Sequence, residues 1–461
     1  MTIDDADQAR QGRLGADTCT EDWIYDRKVE TASPQDVRAM ADAAWERQWA
    51  GLLDRSGFYE RKYRAAGVNP ATIRTVADLQ HLPLTTKSEL KDEQQAYPPF
   101  GDHLGVPIDA VKRVYQTSGT TGDPSLLALT AFDLNEVWGS IALRAYYGSG
   151  FHAHSGVATN FGAGPFVAGT THRVLERLGC RTVPIAPNDT ERLIKAMELG
   201  IVDSLLGTPS FMLYLAARFE NDGVDAKAFG ITHVNVGGEP GAGIPAVRSR
   251  MEDTFGAQIT EIMGLGDITP SLFGECPAGG GMHFSGQGHV WMELRDADSG
   301  ENVPVEPGAE GEPVYTHLTR EAMPLVRFRS GDHVVIQDAD CACGRTSFRI
   351  RCVGRVDDMI IVRGVNVYPS AIQSIVADFR PRVTGRCRVV LDHDEVSVTP
   401  PVPVEVEIPN GATADDTLVE DMQKAIREKL LFRADLSLVQ ESDFGGAGYK
   451  TRGLVRGATA R

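Results

Sequence analysis

Tyr115-Gln-Thr-Ser-Gly-Thr-Thr-Gly-Asp-Pro124 gathers the hydroxyls of Thr117, Ser118, Thr120 and Thr121 around Gly119 and Gly122. Glycines let a backbone approach a ligand with its N–H groups turned inward, and short hydroxyls add donors. An anionic group such as a phosphate needs that combination. No Gly-Lys-Ser/Thr follows and residue 123 is an acid, so this is not a Walker loop. Taken alone, such a run reads more readily as an ordinary polar turn. A second set of residues has metal-ligand chemistry. Cys276 and His283 stand close in sequence, and Cys341-Ala-Cys343 follows further on. Three thiols and one imidazole make a closed tetrahedral set for structural zinc, with no position left for catalysis. Gly279 to Gly281 and Gly344 supply the tight turns such a knuckle needs. The competing reading is four unrelated side chains, since Cys is often a small buried apolar residue.

The elements that must carry these residues are legible in the pattern. At 461 residues the chain is long enough for two or three domains with generous cores. A net charge of −17 argues against nucleic acid or an anionic membrane as the main partner. The opening residues lack the apolar core of a signal peptide, and no apolar run reaches membrane-spanning length. Seven cysteines suit reduced thiols, and Cys19, Cys180, Cys352 and Cys387 show no pairing, so the expected location is the cytoplasm. Ser33-Pro34 with Asp36 marks a helix start. Val37, Ala41, Trp45 and Trp49 then repeat every four residues, so 33–66 reads as a helical lead-in.

From 155 to 262, short apolar runs alternate with helical stretches: Gly156–Thr159, Thr182–Ile185, Val202–Leu206, Thr232–Val236 and Gln258–Ile262. Asp189–Leu199, capped by its Asp and closed by Gly200, is one of the intervening helices. This alternation predicts an α/β fold with a mostly parallel sheet covered on both faces. Ligands of such sheets bind beyond the carboxyl ends of the strands. Three glycine-rich loops are expected there: Phe161–Phe166, Gly237–Gly241 and Met263–Asp267. After 284 the texture becomes that of a β subdomain, with strands near Val290–Leu294 and Glu312–His317. A small α+β domain follows, in which Pro400–Pro403 reads as a loop.

The order Thr117–Pro124, Gly238-Glu-Pro240, Met263–Asp267, Arg327–Asp332, Gly354–Pro369 and Gly448-Tyr-Lys450 resembles the adenylate-forming superfamily. Within it, Gly354-Arg-Val-Asp-Asp-Met-Ile-Ile-Val-Arg-Gly-Val-Asn-Val-Tyr-Pro369 is most similar to the phenylacetate–CoA ligase branch, and the similarity runs from about residue 40 to near the C-terminus. The resemblance implies an N-terminal domain over 1–356 and a small mobile C-terminal domain over 357–461. It implies an AMP-forming ligase that converts a carboxylic acid, with ATP and Mg²⁺, to an acyl-adenylate and passes the acyl group to CoA. Thr117, Ser118, Gly119, Thr120, Thr121 and Gly122 would cradle the phosphates. Gly238, Glu239, Pro240, Met263 and Gly264 would line the nucleotide, and Asp332 with Arg355 would hold the ribose. Asp267 would anchor Mg²⁺, a hard ion that prefers oxygen ligands. Lys450 would bridge carboxylate and α-phosphate as a mobile point charge. Asp357 would be the hinge, and Arg363 and Gly364 would line the CoA channel after rotation. Phe161 and Phe166 would wall an aryl pocket for an aromatic acid; core packing is the alternative for both. Some relatives in the branch carry a structural zinc, and relatives are often homodimers.

Several positions depart from the pattern. Asp123 stands where a lysine or arginine is usual, Met263 and Asp267 replace an aromatic and a glutamate, and Gly241 replaces a tryptophan. These departures keep two rival readings open. One is an acid-adenylating enzyme that delivers to a carrier-protein thiol or another nucleophile, a deazaflavin-adenylating relative being a precedent for stopping at nucleotide transfer. The other is a nucleotide-binding protein without turnover.

Overall fold

The computed structural model describes residues 23–116, 125–161, 167–186, 189–296, 299–338, 340–356, 358–363, 365–393, 395–412, 416–444 and 453–456. It opens with a helical turn, α1 (Arg27–Glu30), followed by α2 (Pro34–Arg55) and α3 (Gly57–Ala65). The Ser33 side chain caps α2 by accepting from Asp36 N, as its sequence implies. The lead-in is two helices rather than one, because Ser56 breaks the run and caps α3 through Tyr59 N. Ala41 and Trp45 are buried, and Trp49 packs on Tyr63 with ring centroids 5.6 Å apart. Helix α4 (Lys87–Ala96) begins in a full capping box made by Thr86 and Glu89. A hairpin of β1 (Arg113–Gln116) and β2 (Leu126–Leu129) follows, then α5 (Trp138–Gly148).

Strand and helix then alternate: β3 (Gly156–Thr159), α6 (Thr170–Arg177), β4 (Arg181–Pro184), α7 (Thr190–Glu198), β5 (Ser204–Gly207), α8 (Pro209–Asn221), β6 (His233–Gly237), α9 (Pro245–Phe255) and β7 (Gln258–Leu265). These five strands pair in parallel, with Thr159 beside Leu206, Gly207 beside Val236 and Gly237 beside Ile262. Both faces are covered. Leu205, Val234 and Ile259 pack under α7, α8 and α9, whereas Val157, Leu206 and Ile262 pack under α5 and α6. Neighbouring residues of a strand point to opposite faces, so burial on both sides demands unbroken apolar runs.

The antiparallel half is not a separate layer. β8 (Thr269–Glu275), β9 (Met282–Phe284), β10 (Val290–Arg295), β11 (Asn302–Val303), β12 (Glu310–His317), β13 (Phe328–Arg329), β14 (Asp332–Gln337) and β15 (Arg349–Arg355) extend the same sheet to 13 strands. Met263–Asp267, expected as a loop, is largely the end of β7, which pairs with β8 across a register shift between Met263 and Leu265. A Cβ on Gly264 would run into the Pro270 backbone, so glycine is what lets this hairpin close.

From Ile360 onward a second hydrophobic core forms. It is built by β16 (Ile360–Val362), β17 (Val365–Val367), α10 (Pro369–Ala377), β18 (Cys387–Leu391), β19 (Ser397–Val398), β20 (Val402–Ile408), α11 (Asp416–Leu430), β21 (Ala434–Gln440) and β22 (Leu454–Arg456). Pro403 was expected in a loop and lies in β20. It precedes the stretch registered with β18, which runs from Val404 to Val406, so its missing N–H is not needed on that side.

Candidate active site and Cys/His cluster

The expected nucleotide residues that fall within the described structure lie at strand ends. Gly238–Pro240 come after β6, Met263 and Gly264 at the end of β7, Asp267 in the β7–β8 turn, and Asp332 and Arg355 where β14 begins and β15 ends. Gly238 follows β6 with a left-handed φ of 89°, and Glu239 turns back so that its Oε1 accepts from Ser210 N at 2.7 Å. That N–H belongs to the first turn of α8, where a carboxylate also meets the positive end of the helix. Gly241 is pressed against Pro209, where a tryptophan or any side chain would overlap. This packing accounts for the departure at that position.

Asp332 opens β14 and is buried; its Oδ1 meets Arg355 Nη1 at 3.2 Å across the β14–β15 register. Carboxylate and guanidinium expected to share one ligand therefore stand side by side. Asp267 is also buried. Its carbonyl accepts from Arg320 Nη1 at 2.8 Å, and the next carbonyl, of Ile268, accepts from Trp138 Nε1 at 2.7 Å. The turn is thus pinned through its backbone, and the Asp267 Oδ2 pairs with Lys87 Nζ at 3.1 Å. Lys87, Asp267 and Ser125 line one small cavity, and Ser125 immediately follows the hydroxyl- and glycine-rich loop. Gln94 fixes the stem of that loop, with Nε2 on Leu126 O at 2.7 Å and Oε1 accepting from Leu126 N at 3.0 Å. Thr117, Ser118, Gly119, Thr120, Thr121 and Gly122 themselves lie outside the described residues, as do Asp357, Gly364, Phe166 and Lys450.

Sequence reading missed Lys87 and Gln94. The available signal was Lys87 in the first turn of a capped helix, where a cation opposes the helix dipole and needs another reason to be there. Arg363 is exposed, with a left-handed φ of 54°. Phe161 is buried in the apolar cluster of α5 and α6, and its carbonyl meets His172 Nε2 at 2.8 Å.

Beneath the glycine loop, Glu261 faces Glu275 and Arg248. Burial, reinforced by Glu275, pushes the Glu261 carboxyl up to about 7, against the opposing pull of Arg248 and of the Gly243 and Gly241 amides. Arg248 Nη2 reaches Glu275 Oε2 at 2.5 Å, and Glu261 N donates to the same oxygen at 3.1 Å.

The Cys/His set is brought together. Cys276 Sγ stands 3.5 Å from Cys341 Sγ and 3.7 Å from His283 Nε2, and Cys343 Sγ stands 3.4 Å from that nitrogen. All four ligand atoms lie within 4.8 Å of one another. Zn–S and Zn–N bonds of about 2.3 and 2.0 Å in a tetrahedron would place ligand atoms roughly 3.5 to 3.8 Å apart, so the cage has the dimensions of a zinc site. The strands bring Gly274 opposite His283, and Ser347 Oγ lies 3.4 Å from the outer imidazole nitrogen, Nδ1.

No protein-family model matches the chain. Among characterised proteins, phenylacetate-coenzyme A ligase of Thermus thermophilus is 32% identical over 417 residues, 88% of this chain and 91% of that protein. The enzyme of the same name from Aromatoleum evansii is 31% identical over 391 residues, 82% of this chain and 86% of that protein. Among solved structures, 2-hydroxyisobutyryl-CoA ligase in the postadenylation state, bound to an acyl-AMP, superposes with a TM-score of 0.84 at 25% identity, covering 96% of this chain and 94% of that one. Fold and site together define an AMP-forming acid–CoA ligase with an N-terminal and a small C-terminal domain. The chain belongs to the phenylacetate-coenzyme A ligase family.

Proposed function

We propose that the acid activated is aromatic and that the two half-reactions run in one cleft by rotation of the small lobe. The observation that carries the nucleotide site is the buried Asp332 carboxylate paired with Arg355 across the β14–β15 register. A carboxylate there accepts from both ribose hydroxyls, and the guanidinium supplies a donor beside it. Gly238, Glu239, Pro240, Met263 and Gly264 line the base. Thr117 to Gly122 offer backbone and hydroxyl donors to the phosphates, the electrostatic stabilisation that phosphoryl chemistry needs. Asp267 presents an oxygen donor suited to Mg²⁺, and its partner Lys87 is only half-buried and free to move off.

The small lobe begins at Asp357, the hinge. Lys450 supplies the mobile charge for adenylation. Gly453, the first residue described after it, lies against Pro369, at the lobe's junction with the β15 strand that carries Arg355. Arg363 and Gly364 line the thiol channel after rotation. Support for an aromatic acid comes from the substrate named for the relatives, with Phe161 and Phe166 on the loop after β3 as the residues expected to face it. Cys276, His283, Cys341 and Cys343 hold a structural zinc that ties the β8–β9 hairpin to the 341–345 loop.

Pyrophosphate exchange over a panel of aromatic and aliphatic acids, with and without CoA, tests this reading. An aromatic acid should exchange best and yield free acyl-CoA. Exchange without acyl-CoA points to a carrier protein or other acceptor, and no exchange with any acid points to a silent binder. Lys450→Ala should abolish exchange but spare transfer from a supplied acyl-adenylate; equal loss in both steps rules out the two-pose scheme.

A further inference from the structure

The two lobes touch near the hinge and again far from it. Near the hinge, Ser370 donates to the Val353 carbonyl and the Tyr368 ring stands 5.3 Å from His333. At the other end of α10, Arg380 sends Nη1 to the carbonyl of Ala246 at 3.0 Å, in the first turn of α9. Its Nε is held at 2.8 Å by Thr384 O of its own lobe, and a Cβ on Gly385 would overlap the guanidinium. The side chain therefore leaves the small lobe in one set direction. Nη2 is buried with no hydrogen-bond partner among the described residues. Burial, helped by Arg250 and opposed by Glu220, lowers the guanidinium to about 10. A cation held this way by one interlobe hydrogen bond makes a grip that can open.

Whole-chain likeness identifies the pose to which the grip belongs. Against 2-hydroxyisobutyryl-CoA ligase the TM-score is 0.84 in the postadenylation state and 0.68 in the thioesterification state, over 96% and 95% of this chain. The same partner protein at nearly the same coverage leaves lobe placement as the source of the difference. Helix α10 spans about 12 Å from Pro369 to Ala377, so a rotation of roughly 40° about its hinge-side end carries its far end, and Arg380 beyond it, by about 8 Å or more, beyond hydrogen-bond reach. We infer that Arg380 is a positioning residue that latches the small lobe in the pose of the acyl-AMP-bound, postadenylation state through the Ala246 carbonyl and releases it before the thiol attacks. The inference rests on the two-pose reading above.

The test uses the intact chain and the variants Arg380→Ala and Arg380→Lys. Three quantities are read: pyrophosphate exchange, acyl transfer to CoA from a supplied acyl-adenylate, and the interlobe distance. The distance comes from spin labels attached without cysteine chemistry at the exposed positions Leu199 and Leu431. Arg380→Ala should exchange roughly tenfold more slowly, the factor carried by one charge-assisted hydrogen bond. Its transfer step should stay as fast as wild type or become faster, and its unliganded distance distribution should shift toward the CoA-bound one. Arg380→Lys, keeping one donor, should recover most of the exchange. An arginine that only stabilised the fold would slow both half-reactions together, and an unchanged ratio in Arg380→Ala overturns the latch while leaving the two-pose reading intact. A wild type whose interlobe distance is the same with ATP and acid as with CoA overturns both.

Discussion

Glu261 offers the sharpest test of the electrostatics under the nucleotide rim. Its carboxyl sits at about 7 instead of 4.5, burial first and Glu275 second being the causes. Between those two values the native state holds a proton that the unfolded chain has released, so stability falls as pH rises from about 4.5 to 7 and the full cost is present above 7. At 1.36 kcal/mol per pH unit the cost approaches about 3 kcal/mol, an upper bound because Glu261 retains some solvent contact. Glu261→Gln keeps the shape and an acceptor for the loop amides but removes the charge. Thermal midpoints of variant and wild type, measured from pH 5 to 8, should nearly coincide at pH 5. They should diverge through pH 7, the variant ending a few degrees higher. Because Gly241 and Gly243 adjoin the loop proposed to line the nucleotide, the wild-type KM for ATP should drift over the same window and that of the variant should not. Parallel midpoint curves for the two proteins would refute a carboxyl poised near neutrality.

Further outcomes attach to Arg345, Gly148 and Cys343. Arg345 pairs with Glu30 at 2.8 Å, both side chains being almost wholly buried, and also donates to Trp23 O. Arg345→Met should cost about 3 to 5 kcal/mol by stranding Glu30, and should expose 23–31 to limited proteolysis; adding Glu30→Gln should restore part of the loss. A Cβ on Gly148 would overlap the same guanidinium, so Gly148→Ala should mimic the arginine change more mildly. Cys343→Ser should drop bound zinc from about one per chain to near none and lower the thermal midpoint; metal analysis of purified protein decides it, and a zinc-free wild type would reject the site.

Much of the scaffold was readable because its causes are local. A Ser-Pro-x-Asp start, an Asp cap with glycine after the helix, and apolar runs bounded by turns act over a few residues, and the observed elements begin close to where those signals stand. Asp332 and Arg355 were named by the resemblance alone; that they meet follows from β14 and β15, which register the two residues opposite each other. The Met263–Asp267 segment was misread as a loop because its pairing with β8 is a tertiary event that the Met-Gly-Leu-Gly string does not announce.

Local chemistry along the chain determined the helix caps, the glycine-rich rim, the two-faced apolar strands and the ligand types of the Cys/His set. Only the tertiary structure decided that Lys87 meets Asp267, that Glu275 crowds Glu261, and that Arg380 crosses to Ala246. Turns and caps are set by energies between near neighbours. Pairing of charges far apart in sequence, and the loss of water that shifts a carboxyl by powers of ten, exists only once sheet register and lobe placement have brought the groups together.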